Sequence, residues 1–161
     1  MISAIYDSPV GPLTLASDGA ALTQVEFENP KYPLTRYPIG LDDVLKQAQR
    51  ELDAYFAGTL RSFKVPVAPQ GTEFQRKVWA ALQTIPYGET RSYAQQAKAI
   101  GAPKATRAVG AANGRNPVSI IIPCHRVIGA NGSLTGFGGG MERKQILLEL
   151  EQGGNLLARA S

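Results

Sequence analysis

The first third of the chain alternates short apolar segments with turn-forming residues. Segments 2–6, 13–17 and 22–27 are rich in apolar and β-branched residues, and Asp18-Gly19 between the last two is a strong hairpin signal. From Leu41 to Phe56 the apolar residues recur at helical spacing instead. This pattern predicts a small antiparallel sheet whose apolar face is covered by one helix.

A cluster of turn formers follows this region. Pro69-Gln70-Gly71 interrupts both periodicities, which predicts two domains, residues 1–68 and 69–161. Within the first, residues 65–67 are expected to return as an edge strand, because Pro66 cannot donate to a ladder. No motif in this half carries chemistry, so it is interpreted as a scaffold. The predicted fold class is α/β (α+β), with a small antiparallel sheet and its covering helix before a mainly helical domain.

The C-terminal half contains two capping boxes. Thr72 with Gln75, and Ser92 with Gln95, each place a hydroxyl residue three positions before a glutamine. In this arrangement the two side chains satisfy each other's backbone N–H groups, so both pairs predict the start of a helix. Residues 141 to about 150 carry apolar side chains on one side and predict a last helix before two glycines.

The helix that starts at the second capping box opens a helix-turn-helix pattern. It should end at Gly101, and Pro103 suits the first turn of a following helix that runs to about Asn113. This following helix is nearly bare of bulky side chains, so its backbone could approach a partner closely while Arg107 protrudes. The alternative is that its alanines pack on the core and Arg107 is solvated. The pattern alone indicates DNA binding only weakly, because such helix pairs are common.

The only cysteine and the only histidine of the chain are neighbours, Cys124 and His125. The β-branched runs around them predict a buried strand that enters, a break at Pro123 and a second strand that leaves. A thiol in an apolar run is usually a small core residue. A nearby imidazole and the Arg126 guanidinium would instead favour the thiolate, which is the nucleophilic form. Neighbouring side chains in an extended chain point to opposite faces, so a bridging water is expected to relay the proton to His125.

Composition and charge exclude several classes of protein. The formal net charge of +4 and the pI of about 9.3 are mildly basic and favour a polyanionic partner only weakly. One cysteine excludes an internal disulfide, and one cysteine with one histidine does not make a structural zinc site, so no metal is expected. No apolar run approaches the roughly 20 residues that span a bilayer, and no signal-peptide pattern opens the chain. We therefore expect a cytoplasmic protein without membrane association.

The residues around the cysteine resemble a known family. Pro123-Cys124-His125-Arg126, with Asn116-Pro117 before it and Gly138-Gly139-Gly140 after it, resembles the O6-alkylguanine-DNA alkyltransferases, also called methylated-DNA–protein-cysteine methyltransferases. The resemblance runs from about residue 74 to 151, and before it only the layout is similar. It implies DNA repair by stoichiometric transfer of the alkyl group from O6-alkylguanine, with O4-alkylthymine as a further candidate, to Cys124. It also implies a single turnover without cofactor, a base flipped out of a duplex bound through the minor groove, and a monomer, with cooperative binding left open.

The resemblance implies roles for residues of the helix-turn-helix. Arg107 would be the finger that enters the base stack when the damaged nucleotide is rotated out. Tyr93 would lie beside the phosphate and the extruded base, and Ser92 would meet a phosphate at the start of its helix. Asn116 would link the DNA-binding helices to the segment that bears the cysteine. Arg115 is a candidate phosphate contact, with a solvated side chain as the alternative.

The resemblance also implies how the cysteine is activated and how the base is held. Glu151 would orient His125, although a lone glutamate at a helix end is normally exposed to solvent. Phe137, Gly138 and Gly139 would belong to the loop that holds the alkylated guanine. Phe137 stands where relatives commonly carry tyrosine, and Gly138 stands where a serine is frequent. The hydroxyls usual at these two positions are therefore absent, while the backbone N–H of Gly138 stays available, and this favours a roomier pocket.

Three other classes share part of these features. A lesion-binding relative without activity would have the helix-turn-helix and the pocket but not the reactive cysteine, which is present here. A Cys-His-Glu hydrolase would have the same three groups and would turn over repeatedly. A regulatory DNA-binding protein would bind undamaged duplex with sequence specificity.

Overall fold

The N-terminal part of the protein is a meander of three antiparallel strands. The computed structural model describes residues 1–130 and 140–153. Strands β1 (Ile2–Ser8), β2 (Gly11–Ser17) and β3 (Leu22–Phe27) lie in the order β1-β2-β3. The hairpin between β2 and β3 is closed by Asp18, whose carboxylate accepts the N–H groups of Ala20 and Ala21 at 2.8 Å. The predicted sheet is therefore confirmed.

One helix covers this sheet. Helix α1 (Asp43–Phe56) begins after Asp42, whose side chain accepts the N–H of Leu45 at 2.8 Å. Most of the face that the apolar spacing predicted is buried: Val44, Leu45, Ala48, Leu52 and Tyr55. Leu41, where the predicted face began, lies before the helix and is exposed, and Phe56 is half-buried. The predicted strand at 65–67 is reduced to a single parallel bridge between Leu22 and Val67. Pro66 explains this, because it contributes only its carbonyl, which accepts the Leu22 N–H at 2.8 Å.

The chain forms its second helix directly after the turn-forming residues 69–71. Helix α2 (Glu73–Leu82) starts with the predicted capping box, in which Thr72 and Gln75 accept each other's N–H. The buried indole of Trp79 lies on this helix and donates to the carbonyl of Ala112 at 2.9 Å. Gly71 packs against this indole so closely that a Cβ there would lie 2.5 Å from the ring. The turn before α2 thus requires glycine for reasons of space.

The helix-turn-helix is confirmed, with one correction. Strand β4 (Arg91–Ser92) leads into α3 (Tyr93–Ala99), and α4 (Thr106–Gly114) follows. Pro103 lies before α4 and not in its first turn. The N–H of Ala105 donates to the carbonyl of Ala102 at 2.9 Å, so Pro103 occupies the second position of a β-turn. A proline with its fixed φ suits that position as well as it suits the start of a helix.

The strand predicted to enter the cysteine segment is wrong. Val118 makes a single bridge with Val25, and the chain then turns, with Ile120 in the left-handed region at φ 71°. Ile120 and Ile122 are fully buried, so their apolar pattern reflected burial and not strand conformation. Cys124–Arg126 form a short 3-10 helix, so the extended geometry expected for Cys124 and His125 is absent. Only the strand that leaves is present, as β5 (Val127–Ile128), which pairs in parallel with β4.

The last element brings the chain back to the cysteine segment. Helix α5 (Met141–Glu151) packs against the short 3-10 helix. The two predicted domains are in contact through backbone hydrogen bonds from β3, because Val25 accepts from Ser119 and donates to Pro117 at 3.1 and 2.9 Å. Within residues 1–130 and 140–153, no helix has the length and apolar character that crossing a membrane requires.

Substituting Gly71 tests the close packing of the turn on Trp79. Gly71→Ala should lower the free energy of unfolding by about 1–3 kcal/mol, because the new methyl group overlaps the indole. Gly110→Ala is the matched control, since its Cβ would lie 3.8 Å from the Tyr93 ring in ordinary contact and alanine favours a helix. Urea denaturation measures both, and equal stabilities for the two variants would contradict the packing argument.

Candidate active site

Cys124 lies buried at the start of the 3-10 helix, with 6% of its surface exposed. The side chain of Asn116 hydrogen-bonds the thiol. The Asn116 amide also donates to the carbonyl of Ile122 at 2.7 Å and accepts the N–H of Val118 at 3.0 Å. Asn116 thus ties the chain that leaves α4 to the turn that carries the cysteine, as a bridging residue would.

A hydrogen bond of 2.6 Å joins Nε2 of His125 to Oε2 of Glu151. Both side chains are buried, with 0% and 1% exposed. Burial alone would raise the pKa of Glu151, but the imidazole of His125 and the Arg126 guanidinium outweigh it and lower that pKa to about 2. The carboxylate is therefore ionised and can only accept, so Nε2 carries the hydrogen. Nδ1 is left as an acceptor, and it makes no hydrogen bond within the described part of the chain.

Further donors surround Glu151. The Arg126 guanidinium donates Nε to Oε1 at 2.7 Å and a terminal nitrogen to Oε2 at 3.1 Å, and its other terminal nitrogen donates to the carbonyl of Ile85. The hydroxyl of Tyr55, on α1, donates to Oε2 at 2.6 Å. Glu151 is therefore not exposed, as a glutamate at a helix end normally is. Its buried charge is compensated by donors from four residues: Tyr55, Gly88, His125 and Arg126.

The cation that acts on the thiol is Lys144. This side chain is fully buried, and its Nζ donates to the carbonyl of Val127 at 2.5 Å and lies 5.9 Å from the centre of the Tyr93 ring. Burial lowers the pKa of Lys144 to about 8, against the opposing influence of Cys124. Sequence reasoning missed Lys144. Its spacing from Leu147 and Glu151 places all three on one face of α5, which is the signal that could have identified it.

The expectation of an ionised thiol is not met. Burial raises the pKa of Cys124, and the hydrogen bond from Asn116, the charge of Lys144 and nearby backbone N–H groups offset this only in part. The guanidinium of Arg126, expected to favour the thiolate, is committed to Glu151 instead. The thiol therefore needs a proton acceptor, and His125 is the neighbouring group that can serve as one.

The predicted DNA contacts lie on and around the helix-turn-helix. Arg107 and Arg115 are exposed, and the Arg115 guanidinium stacks over the Tyr32 ring at 4.0 Å. Tyr93 is half-buried beside Gly110 of α4. Ser92 acts as the helix cap, where its hydroxyl accepts the N–H of Gln95 at 3.1 Å. The predicted loop residues Phe137, Gly138 and Gly139 lie outside the described residues.

A cavity of about 240 Å³ opens beside the cysteine. The segment that follows β3, residues 30–34, forms one wall, and residues 113–117 form the other, with Trp79 and Cys124 in the lining. Cys124 therefore borders the groove between the N-terminal part and the end of α4. In residues 1–130 and 140–153, no group of three or more histidine, cysteine, aspartate or glutamate side chains is arranged to hold a metal ion.

The fold and the site together define a class of protein: a helix-turn-helix protein with a buried cysteine, histidine and glutamate. The family profile described as 6-O-methylguanine DNA methyltransferase, DNA binding domain, matches residues 73–153. The profile of the ribonuclease-like domain of the same family matches residues 1–69. The chain belongs to the 6-O-methylguanine DNA methyltransferase family.

Individual relatives cover nearly the whole chain. The methylated-DNA–protein-cysteine methyltransferase of Methanosarcina acetivorans is 54% identical over 154 residues, which are 94% of this chain and 98% of that protein. The protein of the same name from Mycobacterium tuberculosis is 56% identical over 147 residues, 91% of this chain and 89% of that one. The crystal structure of Mycobacterium tuberculosis OGT in complex with DNA superposes with a TM-score of 0.90 at 50% identity, covering 100% of both chains.

Replacing Glu151 tests the energetics of its buried pair. The folded-state pKa of about 2 lies below the ordinary value of 4.5, so ionised Glu151 stabilises the fold above pH 4.5, and this contribution is lost as the pH falls towards 2. Glu151→Gln should cost about 3 kcal/mol in the free energy of unfolding at pH 7 and clearly less at pH 3. The exposed Glu142→Gln should change it by less than about 0.5 kcal/mol. Urea denaturation at both pH values measures this, and a cost independent of pH would contradict it.

Replacing Lys144 tests its influence on the thiol. Lys144→Met keeps the length of the side chain and removes the charge that Lys144 carries below its pKa of about 8, so the pKa of Cys124 should rise and the thiolate fraction at pH 7 should fall. The thiolate absorbance of the single cysteine, followed against pH, measures this directly. The exposed Lys98→Met should leave the titration unchanged. If both variants titrate like the parent protein, Lys144 does not act on the thiol.

Proposed function

We propose that this protein repairs DNA by transferring the alkyl group from O6 of a damaged guanine to its own Cys124. The observation that carries the proposal is the buried His125–Glu151 pair next to a thiol whose pKa is raised. Such a thiol reacts only when a base takes its proton, and this pair supplies an oriented base. Family membership and the names of the relatives, which act on methylated DNA, support the same reaction.

The proton passes from the thiol to the histidine. Glu151 holds the hydrogen on Nε2 of His125, so Nδ1 takes the proton of Cys124 through a water molecule. The imidazolium that forms is stabilised by the carboxylate, and the thiolate is stabilised by the charge of Lys144 and the hydrogen bond from Asn116. The charge that the reaction creates is thus met by groups already in position.

The transfer itself is a displacement at carbon. The thiolate sulfur forms a bond to the alkyl carbon, and the bond from that carbon to O6 breaks with its electrons on the guanine. Tyr93 lies on the route by which a proton returns to the leaving base. The product is a thioether, which has no carbonyl for water to attack, so the thiol is not regenerated and each molecule acts once.

The duplex is bound through its minor groove by a monomer. Helix α4 presents small side chains that let its backbone approach the groove, and the exposed Arg107 fills the gap that the flipped base leaves. Ser92 and Arg115 contact phosphates on either side, the latter from its place on the Tyr32 ring. Phe137, Gly138 and Gly139 hold the extruded guanine.

Intact mass spectrometry tests the reaction. Mixed with an excess of duplex that contains O6-methylguanine, the protein should gain one methyl group per molecule and then stop, and Cys124→Ser should gain none. The control is a duplex of the same sequence with unmodified guanine, from which the protein should gain no mass. Removal of more methyl groups than there are protein molecules would contradict the single turnover and favour a hydrolase. Binding without any gain of mass would favour a lesion-binding protein.

A further inference from the structure

The N-terminal part of the chain reaches the reactive carboxylate through one side chain. Tyr55 on α1 is fully buried, and its hydroxyl donates to Oε2 of Glu151 at 2.6 Å, across 96 residues of sequence. This same oxygen receives the hydrogen of His125 Nε2 at 2.6 Å. We propose that Tyr55 is a positioning residue for alkyl transfer, which holds Oε2 of Glu151 in the place where it accepts the hydrogen of His125 Nε2. The inference rests on the proposed function and adds a residue to it.

The two oxygens of Glu151 are bound differently. Oε1 receives Nε of Arg126 at 2.7 Å and lies 3.5 Å from the N–H of Gly88. Oε2 receives short hydrogen bonds from Tyr55 and His125 and a longer one, 3.1 Å, from Arg126. A carboxylate oxygen offers two lone pairs, and the hydroxyl of Tyr55 occupies one of them. The two short hydrogen bonds of Oε2 therefore come from Tyr55 and His125, both at 2.6 Å, and the Arg126 nitrogen at 3.1 Å is the more distant third donor.

The hydroxyl suits this task because it carries no charge. Arg126 already balances the negative charge of Glu151. A further cation at this place would oppose the imidazolium that forms when His125 accepts the thiol proton, whereas a neutral hydroxyl orients the carboxylate without that repulsion. Burial and the negative charge of Glu151 raise the pKa of Tyr55 well above its ordinary value, so the hydroxyl keeps its hydrogen and remains a donor at neutral pH.

The ring of Tyr55 is held by its own neighbours. It lies edge-on to Phe56 at 5.2 Å between ring centres, and at 5.3 Å from Phe63. Tyr87 lies edge-on at 6.3 Å. Because this aromatic cluster fixes the ring independently of the hydroxyl, Tyr55→Phe should remove one hydrogen bond while the packing stays in place.

The chain offers a matched control in Tyr6. Its hydroxyl donates to Oδ1 of Asp53 at 2.6 Å, so Tyr6→Phe also removes a tyrosine-to-carboxylate hydrogen bond from the N-terminal part. That bond is exposed and does not involve Glu151. Tyr55→Phe should slow the single-turnover rate of methyl transfer about tenfold, by analogy with the loss of a hydrogen bond that orients a reacting histidine. Tyr6→Phe should leave the rate unchanged.

Two further quantities separate positioning from stability. In Tyr55→Phe, the affinity for duplex containing O6-methylguanine, measured with Cys124→Ser in the background, should stay as it is in Cys124→Ser alone. The final fraction of methylated protein should also be unchanged, because every folded molecule still reacts. A lower final fraction with an unchanged rate would mean that Tyr55 acts on folding, and this would overturn the inference.

The single histidine gives a readout that does not depend on activity. Because His125 is the only histidine, the nitrogen NMR signals of its ring report on one residue. All three proteins should show hydrogen on Nε2, because Glu151 stays ionised, but in Tyr55→Phe the Nε2 signal should move away from its position in the parent protein and in Tyr6→Phe, since the hydrogen bond to Oε2 changes. An Nε2 signal in Tyr55→Phe at the same position as in the parent protein, or an equal slowing by both tyrosine variants, would overturn the role of Tyr55. A parent protein that accepts no methyl group would instead overturn the proposed function and the inference with it.

Discussion

The buried carboxylate of Glu151 is the interaction on which the site depends. An ionised group with 1% of its side chain exposed costs several kcal/mol unless donors surround it. Those donors come from α1, from the loop before β4 and from the 3-10 helix that follows the cysteine. The carboxylate can therefore be satisfied only when the N-terminal part, the cysteine segment and α5 are assembled together, so the oriented base exists only in the complete fold.

Cys124 and Glu151 are both buried, but their pKa values move in opposite directions. Glu151 has enough donors to remain charged, with a pKa of about 2, while Cys124 has too few, and its pKa is raised. A neutral thiol is protected from incidental electrophiles because the thiolate is the reactive form. Such protection suits the proposed reaction, in which the cysteine is used once. Reactivity then arises when a substrate lies in reach and His125 takes the proton.

The helix-turn-helix is connected to this site by amide side chains. The buried Gln96 of α3 and Asn113 of α4 exchange two hydrogen bonds, of 3.0 and 2.7 Å, which fix the two helices relative to each other. Three residues further on, Asn116 connects the chain leaving α4 to the turn before Cys124 and to the thiol. In the proposed complex, a duplex on α4 would therefore take a defined position relative to the sulfur, since buried amides with satisfied partners leave little freedom.

Local features of this protein could be predicted from its sequence, because they depend on residues a few positions apart. The capping boxes at Thr72 and Ser92 and the turn at Asp18 formed as predicted, since their hydrogen bonds lie within the same segment. The apolar run before Cys124 forms a turn and not a strand, because burial and backbone conformation are separate properties and tertiary contacts set the second. Lys144 and Tyr55 acquired their roles only when α5 and α1 met the cysteine segment. The chain alone determined which reactive groups exist, and the tertiary structure decided which of them are charged, because charge depends on burial and on partners distant in sequence.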